Sequence, residues 1–127
     1  MALPKRVKNG GTLYKGDNLT VSSATGDYVM AIRPSTTGFA VNGISVTPST
    51  RALIDSFSLQ HVDTVATVGG NIRYTLIDGV FNQGAEVSIN FDFPTIQLIP
   101  EGESLRFIYT NTATEAMTVG IITEVVR

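Results

Sequence analysis

The sequence predicts an all-β domain: a two-sheet antiparallel β-sandwich with the connections of a jelly roll or another Greek key. Apolar and polar residues alternate with a period of two from about Leu13 onward, and no stretch has the period of a helix. Turn residues interrupt this pattern roughly every ten residues, without the strand and helix alternation of a parallel sheet. The 127 residues suffice for one core, since the apolar 43% is rich in Val, Ile, Leu and aromatic side chains.

The N-terminal residues differ from the rest of the chain in charge. Four cations precede the first acidic residue: Lys5, Arg6, Lys8 and Lys15. Residues 1–16 therefore carry +4, whereas residues 17–127 carry five basic against eleven acidic groups. We expect a basic N-terminal arm over 1–16 that lies on an acidic surface of a partner, and a single β-sandwich domain over 17–127. The alternative is a solvated, frayed tail.

Glycine and proline mark the turns between strands. Asn42-Gly43 predicts a two-residue hairpin, because both positions accept a positive φ. Gly69-Gly70 predicts a second hairpin, and Gln83-Gly84 introduces a strand over 85–93. Residues 99–102 have proline and glycine where a type I turn favours them.

The last two strands are predicted over 104–111 and 116–126, and we expect them to be neighbours. Their alternation places one set of side chains in the core: Leu105, Phe107 and Tyr109 opposite Met117, Val119 and Ile121. The preceding strand likewise points Val87, Ile89, Phe91 and Phe93 to one side and Ser88, Asn90 and Asp92 to the other. On the second face of the last strand, Ile122 and Val126 are more apolar than contact with water requires. Another subunit or a loop of this chain should cover them.

Few residues could support catalysis. The chain has no cysteine, which excludes disulfides and thiolate metal sites, and its one histidine is His61. His61 with Asp63 and Asp55 could form a metal site, but a hydrogen-bonded surface pair is the simpler interpretation. Ser56 or Ser58 could be combined with His61 as a nucleophile, but neither has the strained elbow that such a serine needs.

Carboxylate pairs and cofactor motifs give no better candidate. Glu101 and Glu103 lie in a turn, where we expect both to be solvated. Phosphate-binding, dinucleotide-binding and calcium-binding loops are missing from the sequence. We therefore predict a protein that is not an enzyme, with no catalytic residue, no metal and no cofactor.

Composition also limits the binding partners. No apolar run has the length of a signal peptide or a membrane span, so we expect a soluble, non-exported chain without a membrane partner. The acidic body disfavours specific binding of nucleic acid. Exposed aromatic platforms for sugars would have to come from Tyr14, Tyr28 or Phe81, each of which fits better in a core.

Small side chains, an apolar second face on the last strand and an arm of opposite charge suit subunit assembly. Residues 99–109, IPEGESLRFIY, are followed by a Thr/Ala-rich turn and a closing Val/Ile strand. This segment resembles the final strands of small β-sandwich structural proteins of tailed bacteriophages, with a likeness that covers residues 85–126. The resemblance implies a capsid decoration or cement protein, trimeric on the shell, whose terminal arm reaches onto the neighbouring capsid protein. It carries over no catalytic residue.

The expected function is therefore that of a virion structural protein assembled in the host cytoplasm. Its partners would be its own copies, with a trimer favoured, and the major capsid protein or another virion protein. The residues expected to make assembly contacts are Lys5, Arg6, Lys8, Lys15, Ile122 and Val126. The alternative is a carbohydrate- or receptor-binding β-sandwich module of a phage tail or fibre.

Overall fold

The computed structural model describes residues 12–32, 38–49, 55–80, 89–112 and 114–126. These residues form eight strands: β1 (Thr12–Val21), β2 (Gly26–Ile32), β3 (Phe39–Pro48), β4 (Ser56–Val62), β5 (Ile72–Val80), β6 (Ile89–Ile99), β7 (Ser104–Asn111) and β8 (Met117–Val126). Within these ranges no helix is long and apolar enough to cross a membrane.

The strands form two four-stranded antiparallel sheets. The first sheet has the order β1-β8-β3-β6, and the second has the order β2-β7-β4-β5. Apart from the β4–β5 hairpin, each described strand is followed in the chain by a strand of the other sheet. This is the strand order of a jelly roll, in which two Greek keys form a sandwich. The predicted fold class is confirmed.

Apolar side chains from both sheets fill the core between them. Phe107 and Tyr109 on β7 are fully buried, as are Val119 and Ile121 on β8. The predicted inward faces of these two strands are therefore correct. Phe91 on β6 is partly buried and packs against the same core, while Asn90 beside it is exposed.

The expectation that the last two strands are neighbours is wrong. β7 pairs with β2 and β4, whereas β8 pairs with β1 and β3, so the two strands face each other across the core. The corner between them is held by the side-chain amide of Asn111, which donates to the carbonyl oxygens of Ser22 (2.7 Å) and Ala24 (3.2 Å). Thr114 adopts a φ of 59° in the same corner, a conformation that helps the chain turn toward the other sheet.

The hairpin predicted at Asn42-Gly43 is also wrong. Phe39–Pro48 is the single strand β3, and its register shifts between Val41 and Gly43 against both neighbouring strands. Opposite β8, Asn42 is one extra residue, which makes a β-bulge. Glycine is required at position 43, because a Cβ there would lie 2.6 Å from the carbonyl oxygen of Phe91.

The other predicted turns are present in altered form. β4 and β5 form a hairpin in which Gly69 and Gly70 have positive φ, but the connection is the longer β4–β5 loop, residues 63–71. The turn before β7 closes with a bond from Glu103 N to Pro100 O at 3.1 Å, and Gly102 has φ 85°. A positive φ at the third position identifies a type II turn instead of the predicted type I turn. Gln83-Gly84 lies outside the described residues.

The predicted boundary between arm and domain at residue 16 falls inside β1. This strand pairs with β8 along its whole length, from Thr12 opposite Val126 to Val21 opposite Met117. Residues 12–16 therefore belong to the sandwich, because they form the backbone hydrogen bonds along the edge of β8 that does not pair with β3. The remainder of the predicted arm, residues 1–11, lies outside the described residues.

Candidate assembly surface

The outer face of the first sheet exposes apolar side chains to solvent. On β8, Ile121, Thr123 and Val125 are buried, so the alternate residues Ile122, Glu124 and Val126 point outward. Register places Tyr14 beside Glu124 on one side and Ala40 beside Val126 on the other, with Leu98 next to Ala40. We call these residues the outer patch: Tyr14, Ala40, Leu98, Ile122, Glu124 and Val126.

The outer patch is unusually apolar for a solvent-facing side of a sheet. Leu98 is 71% exposed, Tyr14 68% and Ile122 46%. Alternation normally places polar residues at such positions, since only the core face gains from burial. Contiguous exposed apolar area of this kind is typical of interaction surfaces.

The only charges on the described outward positions of the first sheet are acidic. Glu124 lies at the centre of the outer patch, and Asp92 is exposed near the opposite end of β6. Neither carboxylate makes an ion pair with a described residue. The face therefore offers negative charge among apolar side chains and suits a partner that carries cations.

The predicted contact residues divide into three groups. Ile122 and Val126 lie in the outer patch, whereas Lys5, Arg6 and Lys8 lie outside the described residues.

Lys15 forms the third group and does not lie on the outer patch. It is on β1 opposite buried Thr123, on the side toward the second sheet, and its Nζ donates to Asp17 Oδ1 at 2.8 Å. This pair of charges on an edge strand discourages pairing with a further strand.

Sequence reasoning missed three residues of the outer patch: Tyr14, Ala40 and Leu98. Tyr14 was assigned to the core, but Leu19 and Val21 on the same strand are the residues that pack inward, and Tyr14 alternates with them. Following the alternation back from these two residues would have placed Tyr14 on the outside. The places of Ala40 and Leu98 in the outer patch depend on the pairing of β3 with β8 and with β6, which the sequence does not show.

Apart from the outer patch, a cluster of polar side chains lies at the end of the sandwich near the β4–β5 loop. His61 Nε2 lies 2.7 Å from Glu103 Oε1, and the guanidinium of Arg73 donates to both oxygens of Glu103, at 2.9 and 3.0 Å. The hydrogen bonds from Arg73 are the main cause that lowers the pKa of Glu103 below its usual value, and the bond with His61 acts in the same direction. Glu103 is therefore not the solvated turn residue that was expected.

The β4–β5 loop folds back across the outer face of the second sheet. Ser104 and Arg106 alternate with core residues of β7 and so point outward, yet both are buried. Ser104 Oγ donates to Thr64 O at 2.6 Å, and Arg106 Nη2 donates to the carbonyl oxygens of Ala66 (3.1 Å) and Gly69 (2.7 Å). The loop thus covers this part of the sheet, which makes it unlike the open outer patch.

The candidate ligands of a metal site do not converge. Asp55 precedes β4 and is buried at the opposite end of that strand from His61, where its carboxylate accepts from Tyr109 Oη and Thr112 N, both at 2.7 Å. Asp63 accepts from the backbone and side-chain amides of Asn71, which lower its pKa. Among the described residues no three potential metal ligands lie together.

Serine and histidine are also separated on β4. Ser56 and Ser58 alternate with the buried residues Phe57 and Leu59, so they lie on the outer face of the second sheet. His61 lies on the same face of β4 as Phe57 and Leu59, and its imidazole forms a hydrogen bond with the carboxylate of Glu103. Ser56 and Ser58 therefore lie on the opposite face of β4 from the imidazole of His61.

Some solved structures resemble this chain distantly in fold, and no match is found in sequence. No protein-family model matches the chain, and no curated protein matches it in sequence. The structure of Tomato aspermy virus matches 91% of this chain and 78% of its own, with 12% identity and a TM-score of 0.45. The K3 cleaved adhesin domain of Lys-gingipain from Porphyromonas gingivalis matches 79% of this chain and 59% of its own, with 10% identity and a TM-score of 0.39.

A third likeness is to the virus-like particle of extra small virus from the giant freshwater prawn Macrobrachium rosenbergii. It covers 91% of this chain and 79% of the other, with 12% identity and a TM-score of 0.34. Two of these three structures are thus of a virus or a virus-like particle. All three likenesses are distant, and the class of this protein, a jelly-roll β-sandwich, rests on its own strand order.

Proposed function

We propose that this chain is a non-enzymatic structural subunit of a virion that assembles through the outer patch. The observation that carries the proposal is an exposed sheet face with apolar and aromatic side chains around an acidic residue and no cation at its described positions. A sandwich that worked alone in water would gain nothing from exposing Leu98 and Ile122. A subunit pressed against a neighbour gains their burial.

The free energy gained by burying the outer patch is of the size expected for a contact that is repeated many times on one particle. Complete burial of a large apolar side chain stabilises a contact by about 1.5–3 kcal/mol, and in the outer patch Leu98 and Tyr14 are largely exposed and Ile122 is about half exposed. Association costs several kcal/mol in lost translation and rotation, so one patch alone gives a weak contact. Many copies on one particle convert such a contact into stable attachment through avidity.

The finer proposal is a decoration or cement protein of a tailed-bacteriophage capsid. Its support is the resemblance of residues 85–126 to small structural proteins of such phages, together with a basic N-terminal segment before an acidic body. In this role the subunit forms a homo-oligomer, favoured as a trimer, on the major capsid protein or another virion protein. It is made in the host cytoplasm, and Lys5, Arg6 and Lys8 join Ile122 and Val126 in the contacts.

A carbohydrate- or receptor-binding module is less well supported. Such a module needs at least two coplanar aromatic side chains in one groove. The most exposed described tyrosines are Tyr14 and Tyr74, at 68% and 62%, and they lie on different sheets, Tyr14 on β1 and Tyr74 on β5. They cannot stack on one sugar.

Sedimentation velocity over a range of concentrations tests the assembly proposal. The Leu98→Asp variant should contain a smaller fraction of oligomer than the wild type at the same concentration, because the substitution places a charge within the contact. Thr20→Asp is the matched control: Thr20 is also exposed on the first sheet, but it lies at the far end of β1 from the outer patch. A wild-type protein that stays monomeric at every concentration and on candidate shells would contradict the proposal.

A further inference from the structure

We infer that residues 1–11 of one copy bind along β8 on the outer patch of a second copy. This inference rests on the proposed assembly function and names the partner of the outer patch. It is derived from the order of side chains on the two segments, their charges and the position at which the described chain begins.

The outward side chains of β8 have an order that the N-terminal segment complements. Ile122, Glu124 and Val126 form an apolar–acidic–apolar row, with about 6.8 Å between successive side chains of the row. In an extended chain the residues at the same two-residue spacing are Leu3, Lys5 and Val7, an apolar–basic–apolar row. Aligned on β8, the two rows bring Lys5 to Glu124 and the apolar residues to each other.

The outer patch has small residues beside β8 and large side chains on the outer strands, which leaves room for one extended chain along β8. Ile122 lies between Gly16 and Ser45 in register, both of which are small, and a Cβ at Gly16 would meet nothing within 4 Å. Tyr14 and Leu98 lie on the two outer strands, β1 and β6, which are about 14 Å apart at three strand spacings; Tyr14 is level with Glu124 and Leu98 with Val126. A single extended chain fits in the channel between them.

Charge favours the same pairing. The described outward positions of the first sheet include Glu124 and Asp92 and no lysine or arginine. Residues 1–11 include three cations and no acidic residue. Opposite charges on the two surfaces steer the segment to this face and oppose docking of an acidic segment.

The direction of β1 favours a second copy over the chain's own face. Thr12 is the first residue of β1 and lies at the end of the sheet opposite Val126, and the strand runs from there toward the other end. If residues 1–11 continue the line of β1, they leave their own sheet. Eleven extended residues span about 36–40 Å, more than twice the ~14 Å that the row from Ile122 to Val126 covers.

Charge reversal tests the pairing of Lys5 with Glu124. In sedimentation equilibrium, Lys5→Glu and Glu124→Lys should each weaken association about tenfold, and the double variant should recover most of the loss. Asp78→Lys is the matched control for Glu124→Lys, since Asp78 is exposed on β5 of the second sheet, away from the outer patch. The inference is overturned if the two single losses add in the double variant, or if Asp78→Lys weakens association as much as Glu124→Lys.

A mixing experiment separates docking between copies from docking within one copy. Glu124→Lys retains the arm with a damaged face, and a variant lacking residues 1–11 retains the face without an arm. Each should associate poorly alone, and their mixture should form a one-to-one complex. If the mixture forms no complex and the truncated monomer melts well below the wild type, the segment covers its own face and the inference is wrong.

The pairing of Lys5 with Glu124 and the assembly function can be refuted separately. If the wild type assembles while Lys5→Glu and Glu124→Lys associate as it does, the pairing is wrong and the assembly function stands. If the wild type never assembles alone or on a particle, the assembly function itself is wrong.

Discussion

Replacing Phe107 by alanine should cost a large part of the stability of the sandwich. Phe107 lies on β7 with 0% exposure, and its ring stacks on Phe57 at 5.9 Å between centroids. Phe57 in turn meets Phe91 edge to face at 5.8 Å, so the three rings link the second sheet to the first. Truncation of such a phenylalanine destabilises by about 3–5 kcal/mol, through lost burial and the cavity that remains.

The measurement is a urea titration followed by circular dichroism at a concentration where the protein is monomeric. With a slope of about 2 kcal/mol/M, a loss of this size lowers the unfolding midpoint by roughly 2 M. Tyr74→Ala is the control, because that ring is 62% exposed and its removal should cost less than about 1 kcal/mol. Equal midpoints for Phe107→Ala and the wild type would show that the inward face of β7 is wrongly assigned.

Three further substitutions test other parts of the fold. Gly43→Ala should destabilise by about 1–3 kcal/mol in the same titration, because its Cβ would meet Phe91 O at 2.6 Å, whereas Gly16→Ala has open space and should be nearly neutral. Glu103 has a lowered pKa in the folded state, so its contribution is present at neutral pH and is lost as pH falls through that pKa. A series of melting temperatures against pH should accordingly be flatter below pH ~5 in Glu103→Gln than in the wild type. Arg106→Ala should free the β4–β5 loop, which faster amide hydrogen exchange of that loop would detect; unchanged exchange would contradict the role of the guanidinium.

The alternation of side chains was enough to predict the fold class and the inward faces of the last strands. Burial on a sheet is a property of every second residue, so Phe107 and Val119 could be assigned without knowing which strands pair. The presence of a turn before β7 and the glycines at 69–70 were likewise local features, since they depend on φ at single residues, although the turn spans residues 100–103 and is type II.

Strand pairing could not be predicted in the same way. Asn42-Gly43 has the chemistry of a hairpin turn, but β3 is hydrogen-bonded on both edges, and the pair became a bulge in a continuous strand. The short connection before β8 suggested a neighbour of β7, although it crosses to the other sheet. In both places, contacts between residues distant in sequence decided the outcome.

The candidate site was predicted in part for the same reason. Ile122 and Val126 belong to one strand, and their excess apolar character is visible in the sequence alone. Leu98 and Tyr14 join them only through the order β1-β8-β3-β6, which no local pattern contains. The bond between His61 and Glu103 was missed because it joins residues 42 positions apart.

The most direct test of the central claim is hydroxyl-radical footprinting of Tyr14 and Leu98 in the dilute monomer and in the assembled protein. Both side chains are largely exposed in the single chain and should react rapidly there, while buried Tyr109 should be protected in both states. If the outer patch is the assembly surface, the reaction of Tyr14 and Leu98 slows severalfold on assembly. Unchanged reactivity of both residues in an assembled sample would contradict the account.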